Sequence, residues 1–352
     1  MKQLIAGIQQ VGIGVSNADE AKLYYRDLFG MNIKVFDDEA EASLMTKYTG
    51  NEPYRRRAIL SMNLSGGGGF EIWQFLNRCP AQRSSKLLPG NTGIIATKIK
   101  TADIDRAHTI ISKTPVSTVS KISTSPDNRR YFWVKDNFGN WFNVIECNSW
   151  FKLNGSHCGG VAGAVIGVSN LKAAYEFYCN VLGIDEKVYE QIANEEEFPF
   201  YETGGKTNIT RLLLRKKCGE KGAFSKLLGD FEIELIQAEC LPGKHIYANR
   251  FWGDCGFIHL CFDVTDMDAL KTKCQNAGFQ FSVDSNDSFQ MGQAAGRFCY
   301  IEDPDGSLIE LVETHKVPIS KKMGLYIDLK KRKQNKPLPA WMVKLLGLSK
   351  IK

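Results

Sequence analysis

The sequence lacks three features that would assign it to a class at once. Its 352 residues include no uninterrupted apolar run of about 18 residues, so no membrane-spanning helix is predicted. Its ten cysteines form no C-x-x-C pair, which argues against a zinc ribbon or a redox motif and favours reduced, buried thiols. With only five histidines, the chain offers few imidazoles for catalysis or metal binding.

Acidic residues are nearly absent from the C-terminal tail. Residues 316–352 contain eleven lysines or arginines and one acid, whereas the net charge of the whole chain is only +6. Trp341, Leu345 and Leu348 recur there at helical spacing. This pattern favours a short helix that docks its apolar stripe on the rest of the chain, and a membrane-surface or partner-binding helix is the alternative.

The composition favours a soluble enzyme or binding protein over other classes. No small-residue cleavage site follows the first apolar stretch, so a cytoplasmic location is expected. Apart from the tail, nothing suggests a nucleic-acid or membrane partner. We expect a small-molecule substrate and a monomer or homodimer.

An internal repeat organises the chain. The stretch VGIGVSNADEAKLYYRDLFGM from Val11 aligns without gaps to AVIGVSNLKAAYEFYCNVLGI from Ala164. Each copy has an apolar strand, a Ser-Asn pair that can cap a helix, an apolar helical stripe and a closing glycine. Both copies therefore predict a strand followed by a helix.

A second kind of unit follows each first copy. The stretches GIIATKIKTADIDRAHTIISK and GFIHLCFDVTDMDALKTKCQNAG each combine a strand, an Asp-containing cap and a helix, and each is followed by a turn and a final strand. The chain is thus predicted to contain four modules, at about 1–79, 90–147, 158–240 and 254–315.

The strands near the end of the fourth module carry a family resemblance. Its strongest parts are DPDGSLIEL at 303–311 and HLCFDVTD at 259–266. The sequence resembles the vicinal oxygen chelate superfamily, which includes glyoxalase I, extradiol dioxygenases and bleomycin-resistance proteins. The resemblance implies an α+β fold of four βαβββ modules, paired into two half-open mixed β barrels with the helices on the outside.

The resemblance also divides the chain into domains. Residues 1–150 would form a first domain of modules one and two, and residues 155–315 a second domain of modules three and four. Residues 316–352 would be a basic tail with a short helix.

In this superfamily, metal ligands come from the first and last strands of the modules. The first-strand positions of this sequence are Gln10, Ile94, Gly163 and His259. The last-strand positions are Glu71, Asn143, Glu234 and Glu310. If neighbouring modules pair, neither site is complete. If modules one and four pair, a single complete site collects Gln10, Glu71, His259 and Glu310.

This ligand set suits one divalent metal ion. Three oxygens and one nitrogen, completed by water, fit a five- or six-coordinate Zn²⁺, Ni²⁺, Co²⁺ or Fe²⁺. Glu71 and Glu310 lie inside apolar strand runs, where an unpaired carboxylate is costly, so one shared cation explains both acids and His259. The alternatives are a hydrogen-bonded core histidine and a structural amide at Gln10.

The resemblance to glyoxalase I implies a lyase or isomerase. Such an enzyme moves a proton through a metal-chelated enolate of a small carbonyl or hydroxy-carbonyl substrate, with Glu310 as the main base and Glu71 as its counterpart. Cys255 and Phe75 stand where glutathione-dependent members have an arginine and an asparagine, which disfavours a glutathione adduct as substrate. The candidate substrate-binding residues are Trp73, Trp252, Phe289, Arg297 and Tyr300, with ordinary packing or surface roles as the alternative.

Two other function classes stay open. An extradiol-type dioxygenase would hold Fe²⁺ with two histidines and one glutamate, and His157 would have to supply the second imidazole. A metal-free small-molecule-binding protein of the drug-resistance kind would tolerate the loss of ligands at the second site.

Overall fold

A computed structural model describes residues 3–351 apart from 202–204, 206, 218, 220, 239–242, 287–288, 292–293, 321–324 and 333–335. The strands are β1 (Ile5–Gly14), β2 (Ile33–Glu41), β3 (Arg55–Met62), β4 (Gly69–Phe75), β5 (Gly93–Thr101), β6 (Thr118–Val119), β7 (Ser123–Thr124), β8 (Arg130–Lys135), β9 (Trp141–Glu146), β10 (Val161–Gly167), β11 (Glu186–Asn194), β12 (Asn208–Lys216), β13 (Phe231–Ala238), β14 (Gly256–Val264), β15 (Phe281–Asp284), β16 (Phe289–Met291), β17 (Ala294–Glu302), β18 (Leu308–Ser320) and β19 (Leu325–Asp328). The α-helices are α1 (Ala18–Phe29), α2 (Ile104–Ile111), α3 (Leu171–Tyr175), α4 (Ser225–Leu228), α5 (Met267–Asn276) and α6 (Ala340–Lys344). A π-helical segment spans Glu176–Val181, and 3-10 helices span Ser43–Tyr48, Glu195–Glu197 and Leu345–Leu348.

The strands form two curled mixed sheets. The first has the order β15-β17-β18-β14-β1-β4-β3-β2, with β16 beside β17 and β19 beside β18. The second has the order β11-β12-β13-β10-β5-β9-β8-β6, with β7 beside β8. The predicted α+β fold of four modules in two half-open barrels is confirmed.

The pairing of the modules, which the sequence left open, is visible in the centre of each sheet. In the first sheet β1 of module one pairs antiparallel with β14 of module four. In the second sheet β10 of module three pairs antiparallel with β5 of module two. Each sheet therefore combines one module from the N-terminal half of the chain with one module from the C-terminal half.

The repeated Ser-Asn pair begins a helix in both copies. The side chain of Asn17 accepts hydrogen bonds from the N–H groups of Asp19 and Glu20 at the start of α1. Asn170 accepts from the N–H of a residue in the first turn of α3 in the same way. Gly30 ends α1 with a φ of 70°, in the left-handed region that favours glycine. The predicted caps thus position equivalent helices in modules one and three.

Two repeat-related hydrogen bonds connect the sheets. The hydroxyl of Tyr25 on α1 donates to Asp136 in the turn between β8 and β9 over 2.6 Å. The hydroxyl of Tyr178 donates to Asp303 in the turn between β17 and β18 over 2.9 Å. Burial raises the pKa of both aspartates to about 6, against the hydrogen bonds that they accept. Each bond joins a helix of one sheet's module to a turn of the other sheet.

Successive side chains of β4 point alternately to the main apolar core and to the opposite face of the first sheet. Phe70 and Ile72 are buried in a cluster that also contains residues of α1, including Tyr25. Glu71 and Trp73 point to the opposite face of the strand, because successive side chains alternate. The first sheet thus presents a continuous apolar face to the helices and a second face with buried polar groups.

The C-terminal tail docks through residues other than its predicted stripe. Leu338 and Val343 are each only 3% exposed and pack against β2, β3 and α4 residues. Trp341, Leu345 and Leu348, the predicted contact stripe, are 60%, 39% and 84% exposed. The short α6 continues as a 3-10 helix, so its inner face is set by different residues from those that an α-helical spacing selects. No helix in the described ranges is long and apolar enough to cross a membrane.

Candidate metal centre

The four predicted metal ligands lie on adjacent strands of the first sheet, in the order β4, β1, β14 and β18. These strands carry, respectively, Glu71, Gln10, His259 and Glu310. Gly12 of β1 is opposite both Glu71 and His259 in the strand register. Cys261 of β14 is opposite both Gln10 and Glu310. The group is therefore assembled from both halves of the chain.

A glycine makes room for the imidazole at the centre of this group. A Cβ atom at Gly12 would lie 2.5 Å from Cε1 of His259, which is too close for any larger residue without displacement of the ring. At the aligned position of the repeat the residue is Val165, and its partner across the strands is Ala96. The first sheet thus pairs Gly12 with the imidazole of His259, whereas the second sheet pairs Val165 with Ala96 at the equivalent position.

The polar atoms of the four side chains converge. Nε2 of His259 lies 3.1 Å from Oε2 of Glu71 and 3.2 Å from Oε2 of Glu310. Nε2 of Gln10 donates to the same two oxygens over 3.4 and 3.2 Å. One ligand atom each of Glu71, His259 and Glu310 can be chosen so that all three lie within 4.8 Å of one another. This spacing is compact enough for one cation to contact all of them.

The ring of His259 is oriented by a tyrosine. Its Nδ1 lies 3.2 Å from the hydroxyl of Tyr300 on β17, and that hydroxyl also hydrogen-bonds Glu310. If the hydroxyl donates to Glu310, it accepts from Nδ1–H, and the lone pair of the neutral ring is then on Nε2. Such an outer partner is typical of a metal-ligating histidine.

Two polar atoms of the group lack a well-aligned hydrogen bond within the described part of the chain. Nε2 of His259 is buried, with carboxylate oxygens of Glu71 and Glu310 only 3.1 and 3.2 Å away. Oε1 of Gln10 is buried without a partner as well. Ligation by Gln10 requires its amide to turn by about 180°, so that this oxygen replaces Nε2 on the side of the carboxylates. The donor set therefore fits a divalent ion.

Burial makes the charges of the group costly. His259 and Gln10 are fully buried, and Glu71 and Glu310 are only 7% and 6% exposed. Burial and the charge of Glu71 raise the pKa of Glu310, against the influence of His259. Burial lowers the pKa of His259, but the charges of Glu310 and Glu71 outweigh it, and the net change is upward. Two carboxylates facing one imidazole leave a negative site that a divalent cation would neutralise.

Aromatic rings surround the group. The ring of Trp252 stacks on His259 with centroids 6.2 Å apart, and Trp73 meets Trp252 edge-on at 4.6 Å. Tyr300 contacts both His259 and Trp252 through its edge. Three of the five residues expected to bind substrate therefore lie next to the predicted ligands.

The other two expected substrate-binding residues are not in this group. Arg297 is three positions from Tyr300 on β17, and side-chain alternation therefore directs it to the opposite face. Its guanidinium there binds Asp284 and Asp268, each over 2.7 Å. Arg297 thus lies away from the predicted ligands, and its role in substrate binding stays a prediction. Phe289 lies on β16, but its side chain is outside the described residues.

Comparison with known proteins agrees with this geometry. The family model of the glyoxalase/bleomycin resistance protein/dioxygenase superfamily matches residues 7–144 and 157–311. The chain belongs to this superfamily. A search of curated protein sequences finds no match.

Two solved structures of the superfamily fold resemble the chain along most of its length. Glyoxalase I from Zea mays is 12% identical, with a TM-score of 0.52 over 87% of this chain and 92% of that chain. A candidate dioxygenase from Bacillus subtilis is 12% identical, with a TM-score of 0.55 over 89% of this chain and 86% of that chain. At this identity the likeness is one of fold.

The second sheet has different residues at the strand positions that are equivalent to the predicted metal ligands. The register makes Ala96, rather than the predicted Ile94, the counterpart of His259, because Val165 pairs with Ala96 as Gly12 pairs with His259. Glu234 is the counterpart of Glu71. The sequence already contains this correspondence, because GIIATKIK from Gly93 aligns without a gap to GFIHLCFD from Gly256 and places Ala96 at the position of His259. The expectation for Ile94 was therefore wrong by two residues.

Basic side chains occupy the surroundings of Glu234. Nζ of Lys98 lies 2.7 Å from Glu234 and 2.8 Å from Glu232, and Nε of Arg211 donates to Glu234 over 2.7 Å. Arg129 binds Glu232 over 2.8 Å. The carboxylates of the second sheet are therefore neutralised by the chain itself. This network was not predicted from the sequence, although Lys98 within the mainly apolar strand GIIATKIKT indicates that a carboxylate lies nearby.

The histidine considered for a dioxygenase site is placed elsewhere. A ring nitrogen of His157 lies 2.8 Å from the carbonyl oxygen of Leu28, and burial lowers its pKa. It is not among the residues that could share a cation with His259 in the described part of the chain. The two-histidine ligand set of an extradiol dioxygenase is thus not formed there.

Proposed function

We propose that this superfamily member is a metal-dependent lyase or isomerase of the glyoxalase I type, which moves a proton next to a carbonyl of a small substrate. One divalent ion, Zn²⁺, Ni²⁺, Co²⁺ or Fe²⁺, would be held by Gln10, Glu71, His259 and Glu310. The observation that carries the proposal is the convergence of two buried carboxylate oxygens on Nε2 of His259, at 3.1 and 3.2 Å.

The bound ion would supply Lewis-acid stabilisation of negative charge on two neighbouring substrate oxygens. The chain supplies the remaining functions. Tyr300 holds the imidazole of His259 through Nδ1. Glu310 would accept the proton from the carbon next to the carbonyl and return the same proton to the neighbouring carbon. Glu71 would play this part for a substrate bound in the opposite orientation. The surrounding tryptophans exclude water from this exchange, which strengthens its electrostatic interactions.

Metal analysis tests the first half of the proposal. The purified chain, stripped with chelator and reloaded, should hold about one ion, and His259→Ala and Glu71→Ala should hold none. Glu234→Gln is the matched control, since it removes the equivalent charge from the second sheet. Absence of metal from the wild-type chain under all loading conditions would favour a metal-free binding protein.

Proton exchange tests the second half. The loaded chain is incubated with hydroxyacetone in D2O, and exchange of the protons next to the carbonyl is followed by NMR. We expect exchange without oxygen consumption, and its loss in Glu310→Gln. Oxygen uptake with a catechol by the iron-loaded chain alone would instead support the dioxygenase alternative.

A further inference from the structure

A cavity of about 320 Å³ lies beside the tryptophan that stacks on His259. It lies between β14, the segment 245–252, the first 3-10 helix and the turn before β18. Trp252 belongs to its wall and also stacks on His259 at 6.2 Å. The volume is at the lower end of those that hold drug-sized ligands. We call it the entrance cavity.

Aromatic side chains dominate the wall of the entrance cavity. They are Tyr48, Tyr247, Phe251, Trp252 and Phe257. Branched aliphatic side chains, among them Ile258 and Leu308, complete the apolar part. A wall of this kind favours a flat, mainly apolar ligand.

The cationic residues of the wall are already satisfied by the chain. Lys47 binds Glu302 over 2.6 Å. Arg250 donates to the carbonyl oxygens of Cys255 and Ile246, each over 2.7 Å, and lies over the ring of Tyr247. These bonds leave the cavity poorly suited to a phosphate or a polyanionic tail.

Two N–H donors of the wall, in contrast, have no acceptor among the described residues. Nε1 of Trp252 is buried and makes no hydrogen bond to any of these residues, and Trp252 is only 8% exposed. Nε2 of His245 is likewise buried without a partner in this part of the chain. The backbone N–H of Tyr247 donates to Nδ1 of His245 over 3.2 Å, so the neutral ring carries its hydrogen on Nε2. Buried donors of this kind are rare without a ligand or water to accept from them.

We infer that the entrance cavity binds the non-reacting part of the substrate, and that this part is a flat, apolar group with a hydrogen-bond-accepting oxygen such as an aromatic ketone. The inference rests on the proposed function for the identity of the ligand as substrate. Trp252 and His245 are assigned as its hydrogen-bond donors, and Trp252 is the ring between this group and the metal centre.

The test uses prodan, a flat naphthyl ketone whose fluorescence reports on its surroundings. We expect saturable, blue-shifted binding to the full chain, with and without metal. Trp252→Phe and His245→Phe keep a ring and remove one donor, and each should weaken binding about three- to tenfold. Trp133→Phe is the control, because the indole N–H of Trp133 is also buried without an acceptor but does not line this cavity.

A second titration links the cavity to the metal centre. In the metal-loaded chain, 1-phenylpropane-1,2-dione should displace prodan. Butane-2,3-dione has the same two carbonyls without the ring and should not displace prodan at equal concentration. Failure of prodan to saturate, or equal weakening in Trp133→Phe and Trp252→Phe, overturns the inference. Loss of metal binding with intact prodan binding would instead refute only the proposed function.

Discussion

Glu71 and Glu234 occupy equivalent positions of the repeat but have different charged neighbours. Their substitutions should therefore change the free energy of unfolding and the binding of metal in different ways. Glu71 faces His259 and Glu310 in the first sheet, whereas Glu234 is bound by Lys98 and Arg211 in the second. Burial would raise the pKa of Glu234, but the charges of Arg211 and Lys98 lower it to about 2. The change from an ordinary 4.5 to about 2 corresponds to roughly 3 kcal/mol of stabilisation.

Glu234→Gln should therefore destabilise the metal-free chain by roughly 3 kcal/mol, because Lys98 and Arg211 each lose one of their carboxylate partners. Glu71→Gln should change the free energy of unfolding of the metal-free chain by only about 1 kcal/mol, since attraction to His259 and repulsion from Glu310 oppose each other. With metal at a hundred times the wild-type dissociation constant, the wild type and Glu234→Gln should gain about 2.7 kcal/mol, and Glu71→Gln much less, because an amide oxygen is a weaker ligand than a carboxylate.

Urea unfolding with chelator and with saturating Zn²⁺ measures both quantities. The wild type provides the reference for each condition. If Glu234→Gln loses the metal-dependent gain, or if Glu71→Gln keeps it, the assignment of the two positions is refuted. Equal destabilisation of the two metal-free variants would contradict the assignment of the ion-pair network to the second sheet.

Three further predictions concern other parts of the molecule. Tyr300→Phe should weaken metal affinity roughly 10- to 100-fold in competition with a chromophoric chelator, because His259 loses its orienting partner; unchanged affinity would contradict this role. The pKa of Asp136 is about 6 when folded and 3.8 ordinarily, so its stabilising contribution is complete below pH 4 and is lost as the pH rises through 6. The deficit of Asp136→Asn in urea unfolding should accordingly shrink by roughly 3 kcal/mol between pH 4 and 7, whereas a constant deficit would refute the shift. Val343→Ala should cost roughly 2 kcal/mol of unfolding free energy and Trp341→Ala less than about 0.5 kcal/mol, and the reverse order would show that the tail docks through its exposed stripe.

Local features of the chain were predictable because they depend on neighbouring residues. Asn17 and Asn170 cap helices since their side chains reach N–H groups two or three positions ahead. The alternation of Phe70, Glu71 and Ile72 in β4 follows from strand geometry alone. The repeat then placed the candidate ligands at equivalent strand positions, and it did so without any knowledge of which modules pair.

Nonlocal features were not predictable in the same way. The choice between neighbouring and crossed modules depends on contacts between β1 and β14, which are about 250 residues apart in the chain. The entrance cavity combines a 3-10 helix of the first module with a connecting segment near residue 250, and no periodicity in the sequence relates these two regions.

The donor set of the metal centre is the central claim, and X-ray absorption spectroscopy of the chain loaded with one equivalent of Zn²⁺ tests it most directly. We expect the Zn²⁺ to have one imidazole nitrogen, from His259, and otherwise oxygen neighbours, from Glu71, Glu310 and Gln10. Cys261 lies beside Gln10 and Glu310 in the strand register and is the competing ligand. A sulfur neighbour at about 2.3 Å, or a second imidazole, would contradict this ligand set.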